Sequence, residues 1–401
     1  MKIKGVSYNV GRVMAGNWRP VFDAQVIQRE LEIIKNDLHC NAVRICGLDI
    51  QRLSTAAEMA LKLDLQVWLS PEMWDKSRPE TLAHIRKAAL TAEKLNQKWP
   101  GQMVFLVGSE LTLFIQGIVP GKNIMQRMGN KSFWKNAKAR THNAPLNAFL
   151  PKANQTVRQE FHGPVSYASL LWEAVDWSLF DFVGVDHYRA ARIQERYVEM
   201  LQPSFAHGKP VVITEFGYRT YQGAEGSTEG MAGDLSDFTL SAPVIFTFIT
   251  NAVRHSLFGT LLPPPRRRLK KGNFVRDEAL QARQLVDQLR VLDGASVEGA
   301  FIMTFISPTA PYNEDARKDL DMNSYSLVKS YEHNRHGITL CGHDLRAKGI
   351  VQGGGGVLRK ALEILWLVMD TKKTFDHEIY QTIGGRLGLQ GWWGEGHVRV
   401  G

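Results

Sequence analysis

The stretch Met103-Val104-Phe105-Leu106-Val107-Gly108-Ser109-Glu110 is a short run of apolar residues that ends abruptly in polar ones. A run of this length is typical of a strand that is buried on both faces. Seven further runs of this kind occur at residues 5–10, 41–46, 65–70, 164–170, 182–186, 210–214 and 297–305. Apolar residues at helical spacing separate many of them, at about 27–38, 53–61, 79–99, 154–161, 190–201 and 275–292. This alternation indicates parallel β-α-β units.

The number of units helps to choose between two α/β architectures. A doubly wound open sheet would also alternate, but a Gly-rich phosphate loop often follows its first strand. No such loop follows residues 5–10. Eight repeats in succession favour a closed barrel instead. We therefore predict an α/β fold, a (β/α)8 TIM barrel over residues 1–310, with long loop insertions at its top face.

Three long segments lie outside this alternation. Residues 115–150 and 221–272 are predicted to be top-face insertions, and residues 311–401 a post-barrel extension. The extension ends in a weakly specified, Gly-rich tail, in which an apolar helix at 357–369 follows the glycine run 353–356. We assign no chemistry to this tail.

The net charge of +9 raises the question of an acidic partner, because part of it lies in the basic run at 266–271. Such a run can indicate nucleic acid, a membrane surface or an acidic glycan. No base-stacking or helix-turn-helix pattern accompanies it, so we expect a solvated loop and no nucleic-acid partner. The apolar stretch 238–253 contains Pro243 and is shorter than the roughly 20 residues of a spanning helix. No membrane association is expected.

The cysteine content bears on the compartment. An odd and sparse set of Cys40, Cys46 and Cys341 argues against a disulfide framework and favours a reducing environment. The chain begins Met1-Lys2-Ile3-Lys4 and runs directly into its first strand, without the apolar region of a signal peptide. These features predict a cytoplasmic protein.

The candidate site follows from the polar residues that end the predicted strands, because the active site of a TIM barrel lies at that end. These residues are Asn9, Arg44, Ser70 with Glu72, Glu110, Asp186-His187-Tyr188 and Glu215. Glu110 and Glu215 each follow an apolar strand, the fourth and the seventh, so their carboxylates can face each other across the barrel mouth. Cleavage of a glycosidic bond needs two such carboxyl groups on either side of it.

A resemblance to a known family supports this interpretation. The stretch Val212-Ile213-Thr214-Glu215-Phe216-Gly217 resembles the nucleophile strand of the clan A retaining glycoside hydrolases, (β/α)8 barrels that include cellulases, mannanases and β-galactosidases. The resemblance covers roughly residues 3–310. It implies that Glu215 is the nucleophile, that Glu110 is the general acid/base, and that Arg44 and Tyr188 support the nucleophile.

The chain departs from the clan pattern at two positions. Ser109 stands where the clan usually has an asparagine that contacts the sugar 2-hydroxyl. The eighth strand ends in Met303-Thr304-Phe305, where the clan usually has a tryptophan that serves as a sugar platform. We therefore expect the platform at Phe305 or on a loop, at Trp74 or Trp134. Residues 37–44 also resemble a poorly characterised bacterial family labelled abortive infection protein, a label that describes no chemistry.

Structural alternatives exist for several of these residues. Arg44 could be only an ion-pair partner, and Tyr188 only a buried hydroxyl that needs an acceptor. Asp186 and His187 could be a metal pair, but no further ligands cluster nearby in the sequence. We therefore predict no metal, and a sugar contact for His187. The alternating polar residues at 319–323 lack the glycine and glutamate of a calcium loop.

The sequence thus predicts cofactor-free, retaining hydrolysis of a carbohydrate, or transfer to a sugar acceptor by the same residues. Asn9, Trp74, Ser109, Asp186, His187 and Phe305 are expected to contact or support the substrate. A second hypothesis is a catalytically silent barrel that binds a glycan or a protein partner, for instance in phage defence.

Overall fold

Eight parallel strands close into a barrel, as predicted, in the order β1-β10-β7-β6-β5-β4-β3-β2. The computed structural model describes residues 1–12, 17–135, 141–224, 238–240, 267–269 and 274–330. The barrel strands are β1 Ile3–Gly11, β2 Ala42–Gly47, β3 Gln66–Pro71, β4 Met103–Ser109, β5 Val165–Leu170, β6 Val183–Asp186, β7 Val211–Phe216 and β10 Gly299–Ile302. The remaining strands, β8 Phe238–Leu240 and β9 Arg267–Leu269, form an antiparallel pair.

The last barrel strand is shorter than the predicted run 297–305. It ends at Ile302, after a register shift against β7 between Ala300 and Ile302. The chain keeps its hydrogen bonds beyond this point, because Met303 N donates to Phe216 O and Phe305 N donates to Ser7 O. Residues 303–305 therefore remain attached to both neighbouring strands although they leave the regular ladder.

The α-helices surround the barrel, and polar caps begin the longer ones. Asp23, Asp49 and Asp277 each accept backbone N–H groups at a helix start, and Ser77 forms a reciprocal capping box with Glu80. The α-helices are α1 Ala24–Glu32, α2 Ile50–Lys62, α3 Arg78–Lys98, α4 Leu111–Phe114, α5 Ile124–Met128, α6 Lys131–Lys135, α7 Asn143–Asn147, α8 Leu150–Arg158, α9 Gln202–Phe205 and α10 Glu278–Gly294. A π-helical turn, Ile33–Asp37, extends α1.

The α-helix predicted at 190–201 is wrong. That segment forms two 3₁₀ turns, Ala191–Arg196 and Glu199–Leu201, before the short helix α9. None of residues 191–196 is buried, so no apolar face holds a regular helix against the barrel. Further 3₁₀ turns lie at Trp177–Leu179 and Leu320–Asn323.

Apolar packing fills the lower part of the barrel. Trp68 lies at its centre, with its ring 5.1 Å from that of Phe182 and 5.2 Å from that of Phe301. A larger apolar layer separates the outer faces of the strands from the helices. Because this core closes the lower end, buried polar groups of the barrel interior collect at the carboxyl ends of the strands.

The chain beyond β10 packs back onto the barrel as far as residue 330. Leu327 and Val328 donate backbone N–H groups to Phe305 O and belong to the apolar core. Arg276 ties this segment down by ion pairs to Asp319 and Asp321, at 2.8 Å each, so these carboxylates serve as its partners. The domain boundary at residue 310 stays a prediction.

Several predicted features lie outside the described residues. They are most of the insertion at 221–272, the basic run apart from 267–269, most of the apolar stretch 238–253, the tail from 331 with its glycine run, its helix and Cys341, and the side chain of Trp134. Within the described part of the chain, no helix combines the length and apolarity that a membrane span requires.

Candidate active site

Glu215 lies at the carboxyl end of β7, where side chains from two other strands contact its carboxylate. Tyr188, which follows β6, donates its hydroxyl to Oε1 at 2.6 Å. Arg44 of β2 donates from Nη1 to Oε2 at 3.3 Å. The glutamate is 7% exposed, so these contacts are largely shielded from water. Each carboxylate oxygen has its own donor, which fixes the orientation of the group.

Arg44 links several carboxylates at the barrel centre. Its side chain is fully buried and points up the barrel from the middle of β2. Besides Glu215, it donates to Thr214 O at 2.9 Å and to Glu72 Oε1 at 3.4 Å, and it lies 3.7 Å from Asp186 Oδ1. A buried guanidinium needs acceptors for its donors, and here they come from β3, β6 and β7. Arg44 is therefore an ion-pair partner and a contact of Glu215 at once.

A second buried arginine, Arg12, was not among the predicted site residues. It follows β1 and forms a two-pronged pair with Glu72, with Nε 2.6 Å from Oε2 and Nη2 2.8 Å from Oε1. Nη2 also lies 3.9 Å from Glu215 Oε2. The sequence signal for Glu72 was its place at the end of the third strand. Arg12 gave no periodic signal, because it belongs to the loop beyond β1.

Glu110 follows β4 and has a left-handed backbone conformation, with φ 47° and ψ 42°. Such a conformation costs a non-glycine residue of the order of 1–3 kcal/mol and is concentrated at functional sites. Burial, followed by the negative charges of Asp186, Glu215 and Glu173, holds the pKa of Glu110 well above its usual value. A carboxyl group in this setting keeps its proton to a higher pH and can act as a hydrogen donor.

Asp186 lies at the end of β6 and interacts with two hydroxyl groups. Thr214 Oγ1 donates to Oδ1 at 2.6 Å, and Ser109 Oγ donates to Oδ2 at 3.1 Å. Burial, and next the charge of Glu215, raises the pKa of Asp186 to about 7. Asp186 and Ser109, both predicted site residues, therefore form a buried polar layer with Arg44.

A further carboxyl group, Glu173, was also missed by sequence reasoning. It belongs to the loop after β5, and its charge is one of those that raise the pKa of Glu110. Burial raises the pKa of Glu173 itself to about 7. Its sequence neighbourhood, Leu170-Leu171-Trp172-Glu173, offers no strand-end signal because the residue lies three positions beyond the strand.

His187, for which a sugar contact was predicted, is 2% exposed and packs against other buried side chains. Its ring stacks on that of Tyr197, with centroids 4.0 Å apart and planes 2° apart, and its Nε2 lies 3.1 Å from Tyr197 O. Burial lowers the pKa of His187 to about 4. Side chains alternate along a strand, so Asp186 points into the barrel and the next residue points outward, to the helix side. Gln288 of α10 donates to His187 O there, at 3.4 Å.

Phe305, a predicted sugar platform, has no exposed ring face. Phe305 is fully buried in the apolar core, with its ring 6.1 Å from that of Tyr8. Trp74 is 8% exposed and stacks on Phe114 at 4.3 Å. The half-buried ring of Trp18 packs edge-on against Trp74 at 5.4 Å. Trp18 is therefore more exposed than Phe305 and Trp74.

Asn9 supports the site indirectly. Its Oδ1 accepts the backbone N–H groups of Gly11 and Arg12, at 2.7 and 2.8 Å. These bonds hold the turn that brings Arg12 to Glu72.

Trp172 is half-buried and packs edge-on against His142, with ring centroids 4.7 Å apart. In the described part of the chain, no cluster of three or more His, Cys, Asp or Glu residues is arranged to hold a metal ion.

The glycine of the motif Thr214-Glu215-Phe216-Gly217 is explained by packing. A Cβ atom on Gly217 would lie 2.4 Å from Met303 O and 3.1 Å from the Tyr325 ring. The chain after Glu215 therefore runs directly against the end of β10. Tyr325 itself lies beside Tyr188, with ring centroids 5.3 Å apart, so the segment after the barrel contributes to the wall of the site.

The chain is similar in fold to solved glycoside hydrolase structures. A complex structure of a GH113 β-1,4-mannanase has 12% sequence identity and a TM-score of 0.51, with 86% of this chain and 100% of that chain covered. A second GH113 β-1,4-mannanase structure has 13% identity and a TM-score of 0.48, with the same coverage. A glycoside hydrolase family 5 enzyme from Prevotella bryantii has 11% identity and a TM-score of 0.43, with 89% and 95% covered. No protein-family model matches the chain. No curated protein matches its sequence.

Proposed function

We propose that the chain is a retaining glycoside hydrolase in which Glu215 is the nucleophile and Glu110 the general acid/base. One observation carries the proposal: the two glutamates that end β4 and β7 have opposite surroundings. Glu215 has a guanidinium and a hydroxyl donor on its oxygens, whereas Glu110 is surrounded mainly by negative charge. Environments that differ in this way separate an acid from a nucleophile.

The reaction has two displacements. In the first, a Glu215 oxygen attacks the anomeric carbon, the bond to the leaving oxygen breaks, and that oxygen takes the proton of Glu110. The product is a glycosyl ester of Glu215 and a free alcohol. In the second, Glu110 accepts a proton from water, the water oxygen attacks the anomeric carbon, and Glu215 leaves as a carboxylate. The configuration at the anomeric carbon is retained.

The aromatic side chains near the mouth support a carbohydrate substrate. The apolar face of a pyranose packs on an aromatic ring. Trp18 and Trp172 are both half-buried; the Trp18 ring lies 5.9 Å from the Arg12 guanidinium, and Trp172 directly precedes Glu173. The mannanase of similar fold acts on a glycan by its printed name, which agrees with this substrate class. A transglycosylase would use the same first displacement and replace water by a sugar hydroxyl.

A screen of aryl glycosides that differ in sugar and anomeric configuration tests the proposal. For a cleaved sugar, the matching 2-deoxy-2-fluoro glycoside should label the protein with one equivalent, and peptide mass spectrometry should find the label on Glu215. The Glu215→Gln variant should take no label. Release of the opposite anomer, or a label on another residue, would overturn the assignment. A barrel that cleaves no glycoside yet binds glycans would fit the silent-barrel hypothesis instead.

A further inference from the structure

Two residues outside the predicted site contact the turn that follows Glu110. Tyr167 of β5 accepts the backbone N–H of Leu111 on its hydroxyl at 2.8 Å. Glu173 accepts the backbone N–H of Thr112 on Oε1 at 3.3 Å. The two are joined to each other, because Tyr167 Oη donates to Glu173 Oε2 at 2.9 Å. Both side chains are at least nine-tenths buried.

These contacts satisfy a specific need of the backbone. Helix α4 begins directly after Glu110, and the first N–H groups of any helix lack partners within it. The residue before a helix usually supplies an acceptor from its own side chain. Glu110 occupies that position but makes no capping bond with its side chain. The acceptors for Leu111 and Thr112 come from Tyr167 and Glu173 instead.

We propose that Tyr167 and Glu173 are positioning residues that cap the turn after Glu110 from outside and so leave the Glu110 carboxyl free to face the scissile bond. The inference rests on the proposed function of Glu110 as general acid/base. Glu173 is itself fixed, because Leu170 N donates to its Oε2 at 3.0 Å. The pair therefore connects the end of β5 rigidly to the end of β4.

The same arrangement places a charge beside the acid. The groups that face Glu110 are Asp186 on β6, Glu215 on β7, Glu173 after β5 and Arg44 on β2, and Tyr167 adjoins it from β5. Of these, the three carboxylates raise the pKa of Glu110 and the arginine lowers it. Glu173 therefore has two effects on Glu110, one through the backbone and one through its charge.

The backbone effect is tested with Tyr167→Phe, using kcat/KM because it reports the first displacement alone. A misplaced acid harms substrates whose leaving group needs a proton, so we expect at least about a tenfold loss for a poor leaving group. A nitrophenyl glycoside, which needs little protonation, should lose less than about twofold by the same reasoning. Equal losses for both substrates would indicate a merely structural hydroxyl and overturn the inference.

Tyr8→Phe is the matched control. Tyr8 also donates its hydroxyl to a buried glutamate, Glu30, but from the outer face of β1. Its loss should change kcat/KM of both substrates alike. A leaving-group dependence in this control equal to that of Tyr167→Phe would also count against the inference.

The charge effect is tested with Glu173→Gln by a measurement that needs no turnover. The titration of Glu110 is followed by NMR in protein labelled with ¹³C at the glutamate carboxyl, and Glu110→Gln identifies its signal. Removal of the Glu173 charge should move the Glu110 midpoint to lower pH, and the alkaline limb of kcat/KM should move with it. An unchanged midpoint would overturn the inference. Because the titration is independent of catalysis, failure of the inference is distinguishable from failure of the proposed function.

Discussion

Tyr188 Oη lies 2.6 Å from Glu215 Oε1, so a hydroxyl at the end of β6 is directed at the carboxylate on the neighbouring strand β7. The ladder between the two strands makes this possible, because Asp186 pairs with Glu215 across it and Tyr188 follows Asp186 by two residues. A charge-assisted bond of this kind is short and strong. Its donor holds the carboxylate in one orientation.

Removal of this hydroxyl should lower activity. A hydrogen bond to a charged group contributes about 1.5–3 kcal/mol, which corresponds to roughly a tenfold to hundredfold loss of kcat/KM for Tyr188→Phe. Tyr197→Phe is the matched control, because Tyr197 also donates a buried hydroxyl, to His187 O at 3.0 Å. Equal activity of the two variants would argue against a role for Tyr188.

How far the site could be predicted from the sequence depends on where each residue lies in its β-α unit. Arg44, Glu110 and Glu215 lie on or directly after apolar strands, and the alternation of strands and helices brings strand ends to one face. Tyr188 follows its strand by only two positions, so the same rule reaches it. These placements need no knowledge of loop conformation.

Loop residues escaped this reasoning for a physical reason. Arg12 and Glu173 lie beyond the ends of β1 and β5, where the backbone path is set by particular hydrogen bonds and has no period. Asn9 accepts a backbone N–H group of the first loop. Glu173 is held by two backbone N–H donors and one hydroxyl donor. His187 and Phe305 pack among buried side chains, against Tyr197 and in the apolar core respectively, because successive side chains of an extended chain point to opposite sides.

The pair of Arg12 and Glu72 should respond differently to single and double replacement. Arg12→Met leaves a buried carboxylate without its main partner, which typically costs about 3–5 kcal/mol of the free energy of unfolding. Replacement of both residues, as in Arg12→Met with Glu72→Leu, removes the unpaired charge and should recover much of that loss. Denaturant unfolding of the three proteins measures this. A double variant as unstable as the single one would contradict the argument.

Gly217→Ala should be destabilising, because its new Cβ would lie 2.4 Å from a backbone oxygen, Met303 O. Met303 directly follows β10, so its backbone oxygen cannot move aside as the end of a flexible side chain could. A loss of about 1–3 kcal/mol is expected for such overpacking, with reduced activity because the change lies next to the Glu215 strand. Gly294→Ala is the control, since its added Cβ would meet nothing within 4 Å apart from its chain neighbours and its own helix backbone. A thermal unfolding series compares them, and equal Tm values would refute the packing argument.

The buried carboxyl of Asp186 should make stability depend on pH in a definite direction. Its pKa is raised from 3.8 to about 7 in the folded protein, so the folded state binds more protons than the unfolded state between these values. The stabilisation from this group is therefore complete below its unfolded pKa and is lost as the pH rises through about 7. Unfolding free energies at pH 5 and pH 8 measure the loss.

Asp186→Asn separates this contribution from those of other groups. Asparagine resembles the protonated acid in shape but does not titrate, so the variant should lose less stability than the wild type between pH 5 and pH 8. The difference between the two slopes reports Asp186 alone. A variant that loses as much as the wild type, or more, would mean that the folded protein does not favour the protonated form of this residue.

Anion rescue distinguishes the tasks of the two glutamates, because Glu110→Ala and Glu215→Ala remove different steps. Glu110→Ala lacks the base of the second displacement, so with a nitrophenyl glycoside the first step should survive and the glycosyl-enzyme should accumulate. Azide needs no base and should attack this intermediate, giving a glycosyl azide of retained configuration. In Glu215→Ala, azide should replace the nucleophile and attack the substrate directly, giving the opposite anomer. NMR of the two azide products reads both outcomes. The same anomer from both variants would contradict the assignment, because two displacements and one displacement cannot give the same configuration.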